Sequence, residues 1–422
     1  MKIAQHQLYG LLLYVSSSLI LVGPSLSTKI GIPRLDTALM PLFLVLSIVG
    51  IFFNKLSKDT FIILVFSLIM CLLSFNSLIL NFSIENLLDY SFFYFFISLF
   101  FYGVIYFEDN CLIKIRQFLV FLSSIILIGF FLELIFKVQL VIGNEELEVS
   151  EGAFKGFFFN TNDQAVVSTC FSALITFFFI LNEHNKKIKA LGYFLVLLLG
   201  VVVFVSASRA AIVGYITILF LVLFLNSKSY IKVLYSILGI GFSSFLFNPN
   251  FLKPIFNFLV NFNWLERSIV RLELAIFALD EDNSVTYRTE IYKKFFENFK
   301  ILWVGYGPRN YQEYFNLNPL SYSLGYRNPH SFFIEMYLAF GLFSFIALLG
   351  LIFYSFWIIF KNKFLTLNQK IFFIFSVILF CWLVWIPSSI LRLPLIWCLI
   401  LFIVIYSIHH KRNHLNTSSS KC

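Results

Sequence analysis

The chain has 422 residues, 59% of them hydrophobic and only 13% charged, with a mean hydropathy of +0.87. Soluble domains carry about one quarter charged residues, so this composition excludes a protein folded in water and makes the bilayer the solvent. The formal net charge of +9 does not call for nucleic acid, because basic residues collect in the cytoplasmic loops of polytopic proteins.

The N-terminus carries one lysine and turns apolar at Leu8 without a small-residue cleavage site. It reads as a first spanning helix, not a removed signal. Runs of roughly twenty apolar residues then predict twelve transmembrane helices, over 8–26, 37–53, 60–80, 88–107, 117–136, 163–181, 189–206, 210–226, 230–247, 331–359, 371–387 and 392–408. The expected fold is all-α and polytopic. Residues 1–247 hold helices one to nine, 248–330 form one large outer loop, 331–408 hold the last three helices, and 409–422 form a tail expected to be mobile.

An even number of spans puts both termini on one side. If that side is the cytoplasm, the inner segments hold sixteen Lys/Arg and the short outer loops hold six: Lys29, Arg34, Lys137, Lys155, Arg209 and Arg392. The positive-inside rule therefore places the termini in the cytoplasm. The long interval is then outside, periplasmic or extracellular.

That interval carries nine Lys/Arg: Lys253, Arg267, Arg271, Arg288, Lys293, Lys294, Lys300, Arg309 and Arg327. Residues 263–279 place Ile269, Leu272, Ile276 and Leu279 at helical spacing, an amphipathic pattern. "DEDNS" reads as a break. Thr286–Phe299 reads as a second helix, capped by Thr286 or Ser284. "VGYGPRNY" is a glycine-hinged turn. The interval is thus a small helical cap that ends in "NPHSFFIEMYLAFG", running straight into a hydrophobic helix.

Three positions in this frame can carry chemistry. Arg209 lies in "VSASRAAIVG" between two spans with almost no loop. The small residues around it let helices and a phosphate approach, and a guanidinium offers a planar two-pronged hydrogen bond. A lone arginine at a helix end more often only snorkels to the interface. Arg288 opens the second loop helix, whose apolar face is Tyr292, Phe295, Phe296 and Phe299; a solvated loop charge is the bland alternative. His330 stands where the interval meets the membrane, and an imidazole, with an ordinary pKa of about 6.5, accepts a proton near neutrality. A polar cap at a helix start competes with that role.

Asn160, Asn162, Asp163 and Gln164 in "GFFFNTNDQAVV" could bind sugar hydroxyls, but capping the next helix is the simpler role. Glu133 and Glu335 lie in or near apolar spans, where ionisable groups are suspect by default. Arg392 in "IPSSILRLPLIW" is a further outer cation. The six cysteines form no CxxC, so neither a disulfide framework nor a zinc site is expected. No nucleotide-binding, zincin or nucleophile-elbow motif occurs, and the outer loops hold no carboxylate cluster. Neither a metal nor a cofactor is expected.

Taken in order, "GFFFNTNDQAVV", "SASRAAIVG", "YRTEIYKKFFENF…VGYGPRNY" and "NPHSFFIEMYLAFGLFSFIALLG" resemble the O-antigen ligase and O-antigen polymerase family over about residues 150–355. Members often carry Asn directly after the histidine, where this chain has Ser331. The resemblance implies a metal-independent membrane glycosyltransferase in the bacterial inner membrane, with its active site facing the periplasm. Its donor would be a glycan on undecaprenyl pyrophosphate. Its acceptor would be a second lipid-linked glycan, or lipid A core for a ligase. Arg209 and Arg288 would hold the pyrophosphate, and His330 would activate or position the acceptor. Asn160, Asn162 and Arg392 are further substrate-binding candidates, and a chain-length regulator is an admissible partner. Two other readings compete. Transfer to protein hydroxyls would need a further outer domain that is absent from this sequence. A flippase or transporter would show two related halves around a midplane site, and no such similarity is visible.

Overall fold

The structure is a computed structural model that describes residues 2–30, 35–80, 82–141, 154–227, 231, 249–262, 266–277, 283–308, 310–318, 329–385, 391 and 393–419. Among these residues every regular element is helical. In chain order they are α1 (Lys2–Ile30), α2 (Leu35–Phe53), α3 (Lys58–Leu80), α4 (Ile84–Asp89), α5 (Ser91–Tyr106), α6 (Cys111–Phe136), α7 (Thr161–Ile175, continued as a π-turn over Thr176–Leu181), α8 (Lys186–Val205), α9 (Arg209–Asn226), α10 (Pro249–Val260), α11 (Glu266–Phe277), α12 (Asn283–Glu297), α13 (Glu313–Leu317), α14 (Phe332–Lys361), α15 (Leu367–Leu383) and α16 (Cys398–Ser419).

Eight of the described helices are long and apolar enough to cross a membrane, and α2, α5 and α15 are shorter apolar helices at predicted spans. The predicted span 230–247 lies almost wholly outside the described residues. The protein is a multi-pass membrane protein, and the eight candidate spans among the described residues are compatible with the twelve predicted.

The chain divides into two compact units, one of residues 1–122 and 290–422, the other of residues 123–289. In the first unit, α5 and the apolar part of α16 form the interior: every residue from Ser91 to Ile105 is buried. Trp397 meets Phe92, Phe96, Phe332 and Phe380 in tilted and edge-on contacts at ring separations of 4.7–5.7 Å. Around this aromatic core α1 and α2 pack on α5, and α3 packs along α14. Several buried serines return their hydroxyls to their own helix, as Ser67 does to Ile63 O (2.7 Å) and Ser74 to Met70 O (2.6 Å). That satisfies them without water. The polar tail is helical to Ser419, and Lys411 pairs with Asp59 at 2.8 Å while Arg412 pairs with Glu108. Those ion pairs tie the start of the tail to α3 and to the turn before α6.

In the second unit α7 is buried all round and packs on α8 and α9. The helices α10 and α11 close on one another through Leu252, Phe256 and Ile269, with Leu259, Val260, Leu272 and Phe277 against them. The amphipathic helix predicted over 263–279 is α11. The sequence reading assigns no element to the residues of α10, although Leu252, Phe256, Leu259 and Val260 recur at helical spacing. Burial of that face outweighs the one backbone hydrogen bond that Pro254 cannot donate. The second loop helix, α12, begins at Asn283, a turn before the predicted start, so Ser284 and Thr286 lie inside it and are not its caps.

Candidate functional site

The sharpest reversal in the second unit joins α8 to α9 in three residues, Ser206, Ala207 and Ser208. The amides of Ser206 and Ala207 donate back to Val202 O (3.0 Å) and Phe204 O (3.2 Å). Ala207 takes φ +56°, the left-handed conformation, with only 2% of its surface exposed. A side chain larger than a methyl would add bulk to a backbone that already costs about 1–2 kcal/mol for an L-residue. The Ser206 hydroxyl bonds to Val202 O at 2.7 Å and lies 3.4 Å from the carbonyl oxygen of the buried Gln164 side chain on α7.

This turn delivers Arg209 to the first position of α9, half-buried. Ser208 makes no side-chain cap hydrogen bond, and the positive end of the α9 dipole lies at this turn. α11 packs on α9. Arg271 of α11 and Arg288 of α12 both act on Arg209 through their charges. Three guanidinium groups therefore share one electrostatic neighbourhood. Each offers a rigid fork of donors, and together they suit a ligand carrying more than one phosphate charge.

The charges of Arg288 and Arg271 both reach Arg209, and Arg271 is not among the site residues expected from the sequence. The available signal was slight: Arg267 and Arg271 are one turn apart on an amphipathic helix, and nothing local tells which cation turns toward Arg209.

His330 belongs to the other unit and has its own setting. It follows the buried Pro329 and adopts φ +47°. A histidine visits that region more readily than most residues but still at a cost. Ser331 is the N-cap of α14, its hydroxyl accepting from the Ile334 amide at 3.4 Å. The Phe332 amide donates to Val384 O at 3.2 Å. The Tyr292 hydroxyl, from α12, donates to the His330 carbonyl at 3.1 Å. Farther along, α14 breaks at Gly341, and the turn 302–307 fills the break.

Other predicted positions take structural roles or are not described. Asn160 caps α7, accepting from the Asn162 amide at 2.8 Å, and Asn162 is half-buried in the first turn. Glu133 accepts the amides of Lys155 (2.5 Å) and Gly156 (2.6 Å), which fixes the turn leading to α7. Arg392 lies outside the described residues.

Residues 194–349 match the family model described as O-antigen ligase. The match spans Arg209, Arg271, Arg288 and His330, and it supports the resemblance to the O-antigen ligase and polymerase family. No curated protein and no solved structure matches the chain.

Proposed function

With an O-antigen ligase domain at residues 194–349 of a multi-pass membrane protein, we propose that this protein is a membrane glycosyltransferase that polymerises lipid-linked repeat units. It moves a glycan from undecaprenyl pyrophosphate to a sugar hydroxyl of another lipid-linked unit, making O-antigen or capsular polysaccharide. The reaction takes place at the outer leaflet of the bacterial cytoplasmic membrane. That sidedness follows from the distribution of lysine and arginine.

The observation that carries this reading is the grouping of Arg209, Arg271 and Arg288 within the matched region. The acceptor hydroxyl attacks the anomeric carbon of the donor, forming the glycosidic bond as the bond to the phosphate oxygen breaks. The electron pair leaves with undecaprenyl pyrophosphate. Charge grows on that leaving group, and fixed cations stabilise growing charge most effectively when already in place. The guanidinium groups supply the cations that a divalent ion supplies elsewhere, so the reaction needs no metal. His330 takes the proton of the acceptor hydroxyl as a neutral imidazole.

A second reading, transfer of the finished glycan to lipid A core, is favoured by the description of the matched family itself. The two share donor chemistry and differ in acceptor. Purified protein with lipid-pyrophosphate-linked repeat units, in chelator, decides between them. A ladder of longer lipid-linked glycan supports the polymerase. Transfer only after lipid A core is added supports the ligase. Movement of intact lipid across vesicles without transfer would replace both with a transporter.

A further inference from the structure

We propose that Tyr292 is a positioning residue for His330, holding the histidine in its left-handed backbone conformation through the hydrogen bond from the tyrosine hydroxyl to the His330 carbonyl. This inference rests on the glycosyltransferase reading for its consequence in turnover, and on geometry for the contact itself.

The direction of the His330 imidazole is set by the backbone that carries it. At φ +47° that backbone relaxes unless the surroundings over-determine it. The contacts of Ser331 with the Ile334 amide and of the Phe332 amide with Val384 fix the residues after His330. Tyr292 acts on His330 itself, 3.1 Å from its carbonyl oxygen. Anchoring that oxygen fixes ψ at 330, and with it the entry of the chain into α14.

The tyrosine is itself held in place. Its ring meets Trp385 edge-on at 5.6 Å and 80°, and Trp385 meets Phe333 of α14 at 5.7 Å. The hydroxyl is therefore aimed by packing and does not swing freely. Arg288 and Tyr292 are four residues apart on α12, and residues at that spacing share a helix face.

Tyr292→Phe removes the hydroxyl and keeps the ring on Trp385. In full-length purified protein we expect kcat to fall about three- to tenfold, the range for one lost neutral hydrogen bond, with the donor KM within about twofold of wild type. A second readout is independent of transfer: carbethoxylation by diethyl pyrocarbonate, followed peptide by peptide. His330 should change its labelling rate at least about threefold on losing this bond, whereas the exposed His184 should not change. Wild-type kcat and wild-type His330 labelling in Tyr292→Phe would overturn the proposal. If wild-type protein transfers glycan to no acceptor, the glycosyltransferase reading falls, and the labelling arm still decides the contact.

Discussion

Gly305 and Gly341 cross backbone to backbone with no room for a side chain on either. A Cβ on Gly341 would lie 2.8 Å from the Gly305 nitrogen, and one on Gly305 would lie 2.3 Å from the Ala339 carbonyl carbon. Gly341 sits at φ +83°, ψ −179°, a region open essentially to glycine alone. The break there strands backbone groups of α14 among apolar residues, where each must find a partner. The turn supplies them: Tyr306 and Gly307 amides donate to Leu338 O and Ala339 O, both at 2.8 Å, and the Leu342 amide donates to Leu302 O at 2.7 Å. The short first leg of α14, which begins just after His330, is thereby fixed independently of the long second leg.

Gly305→Ala and Gly341→Ala should therefore each destabilise the protein by about 3 kcal/mol or more, from strain plus overpacking. Gly350→Ala on the same helix is the control. A Cβ there meets only Phe66, at 3.6 Å, and the helix gains up to about 1 kcal/mol from the better helix former. Thermal unfolding in detergent reads the difference. Equal midpoints for all three variants would remove the crossing as a structural device.

The strained Ala207 gives a finer test of the turn before Arg209. Ala207→Gly relieves the left-handed conformation and should leave stability within about 1 kcal/mol of wild type. Ala207→Val puts a β-branched side chain at φ +56° in a buried turn and should cost at least about 2 kcal/mol. Activity should follow stability in the first variant and fall further in the second, as Arg209 loses its position. Transfer assays beside unfolding curves separate the two effects.

The arginines and the histidine should divide in kinetics. His330→Ala should lower kcat by about a hundredfold or more, the usual range for losing a general base, in protein that still elutes as a folded species. Arg209→Ala and Arg288→Ala should lower kcat and raise the donor KM together. Arg271→Ala should mainly raise the donor KM, about tenfold, with Arg271→Glu worse, because it removes a charge-assisted contact to the phosphates. An unchanged donor KM in Arg271→Glu would strike Arg271 from the group.

Glu133 should prove structural. Its carboxylate accepts two backbone amides while itself buried. Glu133→Ala strands both donors and should cost about 2–3 kcal/mol, whereas Glu133→Gln keeps one acceptor oxygen and should lose less. Where the variants stay folded, their donor KM should match wild type. A folded Glu133→Gln without transfer activity would instead make the carboxylate part of the chemistry.

The sequence by itself determined the solvent, the helical class and the places of the spans. An apolar run of bilayer length leaves the backbone no other way to satisfy its hydrogen bonds, so α3, α6 and α14 are legible as spans, although α6 starts six residues earlier than its apolar run suggests and the run of α14 does not show the break at Gly341. It also made Arg209 and His330 conspicuous, as polar residues at the edges of such runs, whereas Arg288, inside the long interval, became a candidate only through the family resemblance. What it could not decide is anything that depends on two distant segments meeting. The charge of Arg271 reaching Arg209, the Tyr292 hydroxyl on the His330 carbonyl and the crossing of Gly305 with Gly341 each join residues 35 or more positions apart. Periodicity reports only neighbours on the same helix, and the directions that carry chemistry are set by packing across helices. Left-handed backbone at Ala207 is likewise invisible to propensity, and at His330 the mild tendency of histidine does not pick out this position; the tertiary structure reveals both.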